Sequence, residues 1–241
     1  MYFNQQEWPI RCEWGAAGIE ALAPLCDALV IVDVLSFSTS VDIAVGRGAS
    51  VYPYRWRDDS ALEYAACHAA IVASPQRTAV GGYSLSPASL QTIPAGTRLV
   101  LPSPNGATLT LATGALPTMA GCLRNARAVA LAAHRFGSRI GVIAAGERWP
   151  DGSLRPAVED LIGAGAIIAH LEGTRSPEAT IALRAFEQSR PNLTTVLQQC
   201  GSGQELIGRG FADDVALAGA LNGSQSAPLL RDGAYVNGGN W

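Results

Sequence analysis

The sequence contains no lysine; all 17 of its basic residues are arginine. Schiff-base chemistry and the Walker-type phosphate loop each need a lysine amine, so both are excluded. Charge of either sign is sparse, at 15% of residues against about 25% in an average globular chain. With a net charge of −3 and no run of like charges, nucleic acid is not an expected partner. The five cysteines (12, 26, 67, 122, 200) include no C-x-x-C, and none is followed six positions later by arginine. That removes a zinc ribbon, a thioredoxin-like pair and a cysteine-phosphatase loop. The odd cysteine count and wide spacing suit a reducing compartment. The three histidines (68, 134, 170) stand isolated on expected helices and read as structural. No G-x-G-x-x-G is present, and Gly82-Tyr-Ser-Leu-Ser86 lacks the closing glycine of a nucleophile elbow. Glu7, Trp8 and Pro9 stand where a signal peptide would need a basic start and an apolar core, and no apolar run approaches ~18 residues. The expectation is a cytoplasmic protein with no membrane partner.

What is present is apolar and small. Hydrophobic residues make up 48% of the 241, with 26 glycines. That suits one compact domain over residues 1–241. Leu29 to Val32 is a bare apolar run, as a strand buried on both faces requires. Arg98–Leu101 and Arg139–Ala144 read as two more buried strands, with shorter ones near 9–13, 51–54, 118–122 and 233–236. Pro53 points to an edge position for the second of those short strands. Helices are expected near 15–22, 38–46, 60–72, 107–114, 125–136, 157–171, 176–189, 192–199, 203–208 and 212–220. Residues 80–89 read as a loop that covers something. Strands alternating with helices give an α/β fold with a largely parallel or mixed sheet. The strand–turn–helix layout is used twice, which hints at two similar halves.

Polar groups gather where strands end. Asp33 follows the first buried run and precedes Ser36, Ser38 and Thr39. Ser103, Asn105, Gly106 and Thr108 follow the second, and Glu147 follows the third, with Glu159 and Asp160 opening the next helix. In open α/β sheets ligands bind beyond the carboxyl ends of strands. If these strands are parallel neighbours, the groups share one rim. Carboxylates without His or Cys favour a hard ion such as Mg²⁺, and hydroxyl and N–H donors beside it favour a phosphate. A plainer reading is equally open from these residues. Asp33 could end a strand, Ser38 or Thr39 could cap a helix, and Glu159 and Asp160 could serve a helix dipole.

Several segments resemble the 2-phosphosulfolactate phosphatase (ComB-like) family. They are Val32-Asp33-Val34-Leu35 with Ser38-Thr39, Ser103-Pro-Asn-Gly-Ala107, Ala144-Ala-Gly-Glu147, Arg155-Pro-Ala-Val-Glu-Asp-Leu161 with Gly163-Ala-Gly165, and Gly210-Phe-Ala-Asp-Asp-Val215. The resemblance implies a three-layer α/β/α fold and a Mg²⁺-dependent phosphatase that releases phosphate from 2-phospho-3-sulfolactate, giving 3-sulfolactate on the route to coenzyme M, or from a different small anionic phosphoester. By position it implies Asp33 as catalytic residue and Asp33, Glu159 and Asp160 as metal carboxylates. Ser36, Ser38, Thr39, Ser103, Asn105, Gly106 and Arg155 would surround the substrate, and a homodimer is one expectation for the assembly. The first motif departs from the family's Asp-Val-Leu-Arg-Ala-Ser-Thr, because Ser36-Phe37 replaces Arg-Ala. Arg148 or Arg155 is the expected substitute for that guanidinium. A non-catalytic member that binds a small anion or a protein partner is the alternative.

Overall fold

The computed structural model describes residues 2–56, 58–78 and 81–238. Two strands without a polar interruption form the middle of one parallel group of its sheet: β2 (Ala28–Val32) and β7 (Ile140–Ala144), in which every residue is buried. Alternation along β2 explains the layering. Ala28, Val30 and Val32 face one apolar cluster with Val129, Ile162 and Ile167, while Leu29 and Ile31 face another with Ile19, Leu22 and Leu109. Helices therefore cover both faces, as a strand apolar on both sides demands. The fold is three-layer α/β/α.

Around β2 and β7 lie β1 (Ile10–Trp14) at the sheet's edge and β6 (Thr118–Gly121), giving the parallel group β1-β7-β2-β6. A second parallel group is β3-β5-β4, made of β3 (Ser50–Tyr54), β5 (Arg98–Pro102) and β4 (Ile71–Val72). The hairpin β10 (Pro228–Arg231) and β11 (Ala234–Asn237) joins the groups. It pairs antiparallel with β6 at Leu229–Met119 and with β3 at Tyr235–Val51. The sheet is therefore mixed, with nine strands among the described residues. A separate two-stranded ribbon pairs β8 (Glu147–Arg148) with β9 (Leu154–Arg155).

The helices are α1 (Gly15–Leu22), α2 (Phe37–Gly46), α3 (Ser60–Cys67), α4 (Gly106–Ala112), α5 (Ala126–Ala133), α6 (Val158–Ile168), α7 (Pro177–Ser189), α8 (Leu193–Gln199), α9 (Gly201–Gly208) and α10 (Ala212–Ala218). The glycine pair in α6 has the packing role its sequence suggests. A Cβ at Gly163 would fall 2.6 Å from Val34 Cγ2, and one at Gly165 would strike the backbone carbonyl of Ala182 on α7.

Four expectations need correction. Helix 60–72 ends at Cys67, and Ile71–Val72 pairs with β5 as a short strand. Alanine-rich periodicity does not distinguish the two, and Ala69 at positive φ breaks the helix. Strand β3 is internal, not an edge. Its contact with β11 is the single Tyr235–Val51 register pair, so Pro53 removes no donor from that ladder. Strand β10 was not anticipated, because Pro228-Leu-Leu-Arg231 is too short to show a period. Of the loop expected at 80–89, Val80 lies outside the described residues; Pro87–Leu90 is a 3₁₀ turn and Ser84, Ser86 and Ser89 are buried.

Candidate active site

The turns after β2 and β5 meet although these strands lie in different parallel groups and are not neighbours. The point of contact is Asp33. Its Oδ1 accepts from the N–H of Phe37 at 3.0 Å, and its Oδ2 accepts from the N–H of Gly106 at 3.0 Å. The first bond is local and closes the turn into α2. The second spans 73 residues and docks the start of α4 onto it. Only glycine allows this approach, since a Cβ at position 106 would lie 2.7 Å from Phe37 Cγ and 2.8 Å from Asp33 Oδ2.

Ser38 and Thr39 build that turn from inside. Ser38 Oγ donates to the Ile31 carbonyl and accepts from the Asp33 N–H, and Thr39 Oγ1 donates to the Val34 carbonyl. Both are fully buried. Their hydroxyls serve backbone, as Ser and Thr commonly do at such corners.

The third strand end is tied in by Asp160 at the start of α6. Its Oδ1 accepts from the Val34 N–H at 2.7 Å and its Oδ2 from the Gly146 N–H at 2.9 Å. One carboxylate thus fastens the turn after β2 to the turn after β7. Glu159 beside it is 2% exposed, and its Oε2 is buried without a hydrogen-bond partner among the described residues. Glu147, at the start of the ribbon, accepts from Asn105 Nδ2 at 2.8 Å.

These carboxylates sit close enough to oppose one another's ionisation. Burial, then the neighbouring Glu147, pushes the Asp33 carboxyl up to about 7, against the pull of the Phe37 and Gly106 N–H groups. Burial followed by Asp33 and Glu159 raises Asp160 as well. Burial raises Glu147, while Asn105 and Arg155 act in the opposite direction.

A cavity of about 480 Å³ opens here. Asp33, Ser36, Ser103, Asn105 and Glu147 line it; Ser38, Thr39, Gly106, Arg155, Glu159 and Asp160 do not. Arg155 faces Glu147 across the ribbon and donates through Nη2 to Ser202 Oγ at 2.9 Å. Asp33, Glu159 and Asp160 do not form a ready ligand set: among the described residues no group of three Asp, Glu, His or Cys side chains is arranged to hold a metal ion. Both oxygens of Asp160 accept backbone N–H groups behind the cavity wall.

The guanidinium beside position 36 is neither Arg148 nor Arg155. It is Arg77, whose Nη2 donates to Ser36 Oγ at 3.0 Å and whose Nη1 pairs with Asp214 Oδ2 at 2.6 Å. Asp214 is itself fixed by the Ser86 hydroxyl at 2.6 Å and the Ala88 N–H at 3.0 Å. Arg77 follows a short edge strand in an irregular segment with no periodic signal, so nothing local marked it. Asp214 lay in a quoted motif, Gly210–Val215, without a role.

Among the described residues no helix is long and apolar enough to cross a membrane. The family model for 2-phosphosulpholactate phosphatase matches residues 19–233. The 2-phosphosulfolactate phosphatase of Methanothermobacter thermautotrophicus is 31% identical over 206 residues, 85% of this chain and 87% of that one. A protein of Carboxydothermus hydrogenoformans named "Probable 2-phosphosulfolactate phosphatase" is 31% identical over 202 residues, covering 81% of this chain and 82% of its own. With a family model matching residues 19–233 and relatives 31% identical over more than four-fifths of the chain, this chain belongs to the 2-phosphosulfolactate phosphatase family.

Proposed function

We propose that the protein is a Mg²⁺-dependent phosphomonoesterase that releases phosphate from 2-phosphosulfolactate or a closely similar small anionic phosphoester. The observation that carries this reading is Asp33: a buried carboxyl at a strand end, fixed by two N–H groups, opposed by other carboxylates and open to a cavity. Unlike Asp42, which is paired with Arg124, this aspartate is not hydrogen-bonded to a cation among the described residues, and unlike Asp160 it lines the cavity. Perturbed carboxyls of this kind concentrate at functional sites.

The donor set suits a hard cation. Mg²⁺ commonly takes one or two protein carboxylates and completes its shell with water and substrate oxygens. Three carboxylates line the cavity: Asp33 and Glu147, beside Ser103 and Asn105, would hold the cation, while Glu205 is paired with Arg209. The ion would supply charge neutralisation and polarisation of the phosphoryl group. Asp160 would act from behind, keeping the turns after β2 and β7 in register, and Glu159 would add negative charge without reaching the cavity.

The chain's own groups then divide the work. Ser36, Ser103 and Asn105 present hydroxyl and amide groups to the phosphoryl oxygens. Asp33, held at the cavity by backbone N–H groups, would accept a proton from the attacking water through a lone pair that the cation does not take. The Phe37 and Gly106 N–H groups hold its oxygens while leaving lone pairs for that proton.

The test is phosphate release from 2-phosphosulfolactate and from a panel of phosphomonoesters, with added Mg²⁺ and with EDTA. Turnover that EDTA abolishes and Mg²⁺ restores is expected. Absence of EDTA-sensitive turnover on every ester would refute the reading and favour a non-catalytic family member.

A further inference from the structure

We propose that Arg77 and Arg209, both set against the ring of Phe211, form an acid-recognition wall. It binds a second anionic group of the substrate, a carboxylate or sulfonate, and Asp214 is the positioning residue for Arg77. The inference rests on the phosphatase reading and assigns the specificity of that same cavity.

The geometry is as follows. Arg77 and Arg209 both line the cavity that contains Asp33. Their guanidinium carbons lie 5.5 and 6.0 Å from the Phe211 ring centroid, within cation–π range. The two come from segments more than 130 residues apart and converge on one aromatic. The acidic end of the cavity, with Asp33 and Glu147, is suited to a cation and a phosphoryl group. At about 480 Å³ the cavity is much larger than a phosphoryl group needs. The remainder of a substrate must meet the rest of the lining, where Arg77, beside Ser36, and Arg209, paired with Glu205, supply the guanidinium groups.

Arg77 is built for precision. Its bonds to Asp214 and Ser36 use two of its five N–H groups. Asp214 is 1% exposed and anchored by Ser86 and Ala88, so it holds the guanidinium in place and is not displaced by an incoming acid. Arg209 differs. Its partner Glu205 is exposed and one helical turn away, a weak and screened pair that a substrate acid can replace. A rigid fork beside a mobile one suits a planar carboxylate or a sulfonate.

The test compares 2-phosphosulfolactate, which carries further acidic groups, with phenyl phosphate, which carries none. R77Q is expected to lower kcat/KM for 2-phosphosulfolactate by about tenfold or more beyond its effect on phenyl phosphate, mainly through KM. D214N should shift the same ratio in the same direction, and R77K should restore part of it. R209Q, at a half-exposed position that does not threaten folding, should also reduce the ratio. Equal losses on both esters in R77Q and R209Q would overturn the inference. If the wild-type protein hydrolyses neither ester, the phosphatase reading fails, and calorimetry with 3-sulfolactate decides the inference separately. Binding to the wild type that weakens about tenfold in R77Q supports the wall; no binding, or unchanged binding, overturns it.

Discussion

Two buried aspartates, one before α2 and one inside it, are treated in opposite ways. Asp42, inside α2, pairs with Arg124 Nε at 2.9 Å and accepts from Ser224 Oγ at 2.6 Å. Asp33, four residues before α2 begins, has backbone N–H partners, and its charged neighbours are carboxylates. Burial raises both carboxyls, but Arg124 and Ser224 work to lower Asp42, whereas Glu147 and Glu159 drive Asp33 further up. Folding explains the first arrangement: a desolvated charge is compensated and locks α2 to the segment before β10. Folding does not explain the second, in which like charges are gathered at a cavity. An uncompensated cluster of that kind is favoured only if something outside the chain, a cation with its phosphoryl ligand, completes it.

The largest effect that would break this contrast is at the paired end. Arg124→Met strands the Asp42 carboxylate and should cost about 3–5 kcal/mol of stability, read by urea unfolding. Phosphate release per folded molecule should survive, because Arg124 lines a different cavity from Asp33. A small stability change would mean that the ion pair is not what holds this end.

The unpaired end should show itself through pH. Asp33 is raised in the folded state, to about 7 from an ordinary value near 3.9. The folded protein therefore keeps a proton that the unfolded chain releases. Its cost is absent below about pH 4, grows as pH rises to about 7, and is constant above that. In EDTA, the stability of wild type relative to Asp33→Asn should fall across that window by an amount on the order of a few kcal/mol. A difference that is flat with pH would contradict the assignment.

Docking of the two strand ends is the next test. Gly106→Ala forces a methyl group between Phe37 and Asp33 and should cost about 1–3 kcal/mol, with a clear loss of turnover. If melting and turnover were both unchanged, the close approach of α4 to Asp33 would be immaterial. The smallest effect belongs to an exposed pair. Arg139 and Asp27 are bonded at the surface, and Arg139→Gln should leave the urea midpoint where it is. Only the burial of Asp42, not pairing as such, makes the Arg124 contact matter.

Much of this contrast was legible in the sequence, and its limits have physical causes. Asp33 stood out because an ionisable group ended an apolar run, and Gly163 and Gly165 announced close helix packing because glycine in a helix otherwise only weakens it. The motifs at 103–107, 144–147 and 155–161 marked the right turns. What pattern could not convey was direction. Ser38 and Thr39 look like ligand donors in one dimension and turn inward to backbone in three. Asp160 looks like a metal ligand in one dimension; in three it accepts from the Val34 and Gly146 N–H groups and does not line the cavity. The hairpin β10–β11, wedged between two parallel groups, decides which strands are neighbours, yet it is encoded by the last short segments of the chain. Arg77 was invisible because its partners, Ser36 and Asp214, are 41 and 137 residues away.

The central claim is that the unpaired carboxylate end of α2 exists for chemistry. The most direct measurement is Asp33→Asn, assayed for Mg²⁺-supported phosphate release from 2-phosphosulfolactate and, on the same sample, for thermal melting in EDTA. The account predicts a loss of turnover of about 10²–10⁴-fold with a melting temperature no lower than the wild type's. Turnover retained at the wild-type rate, or lost only because the variant unfolds, would contradict it.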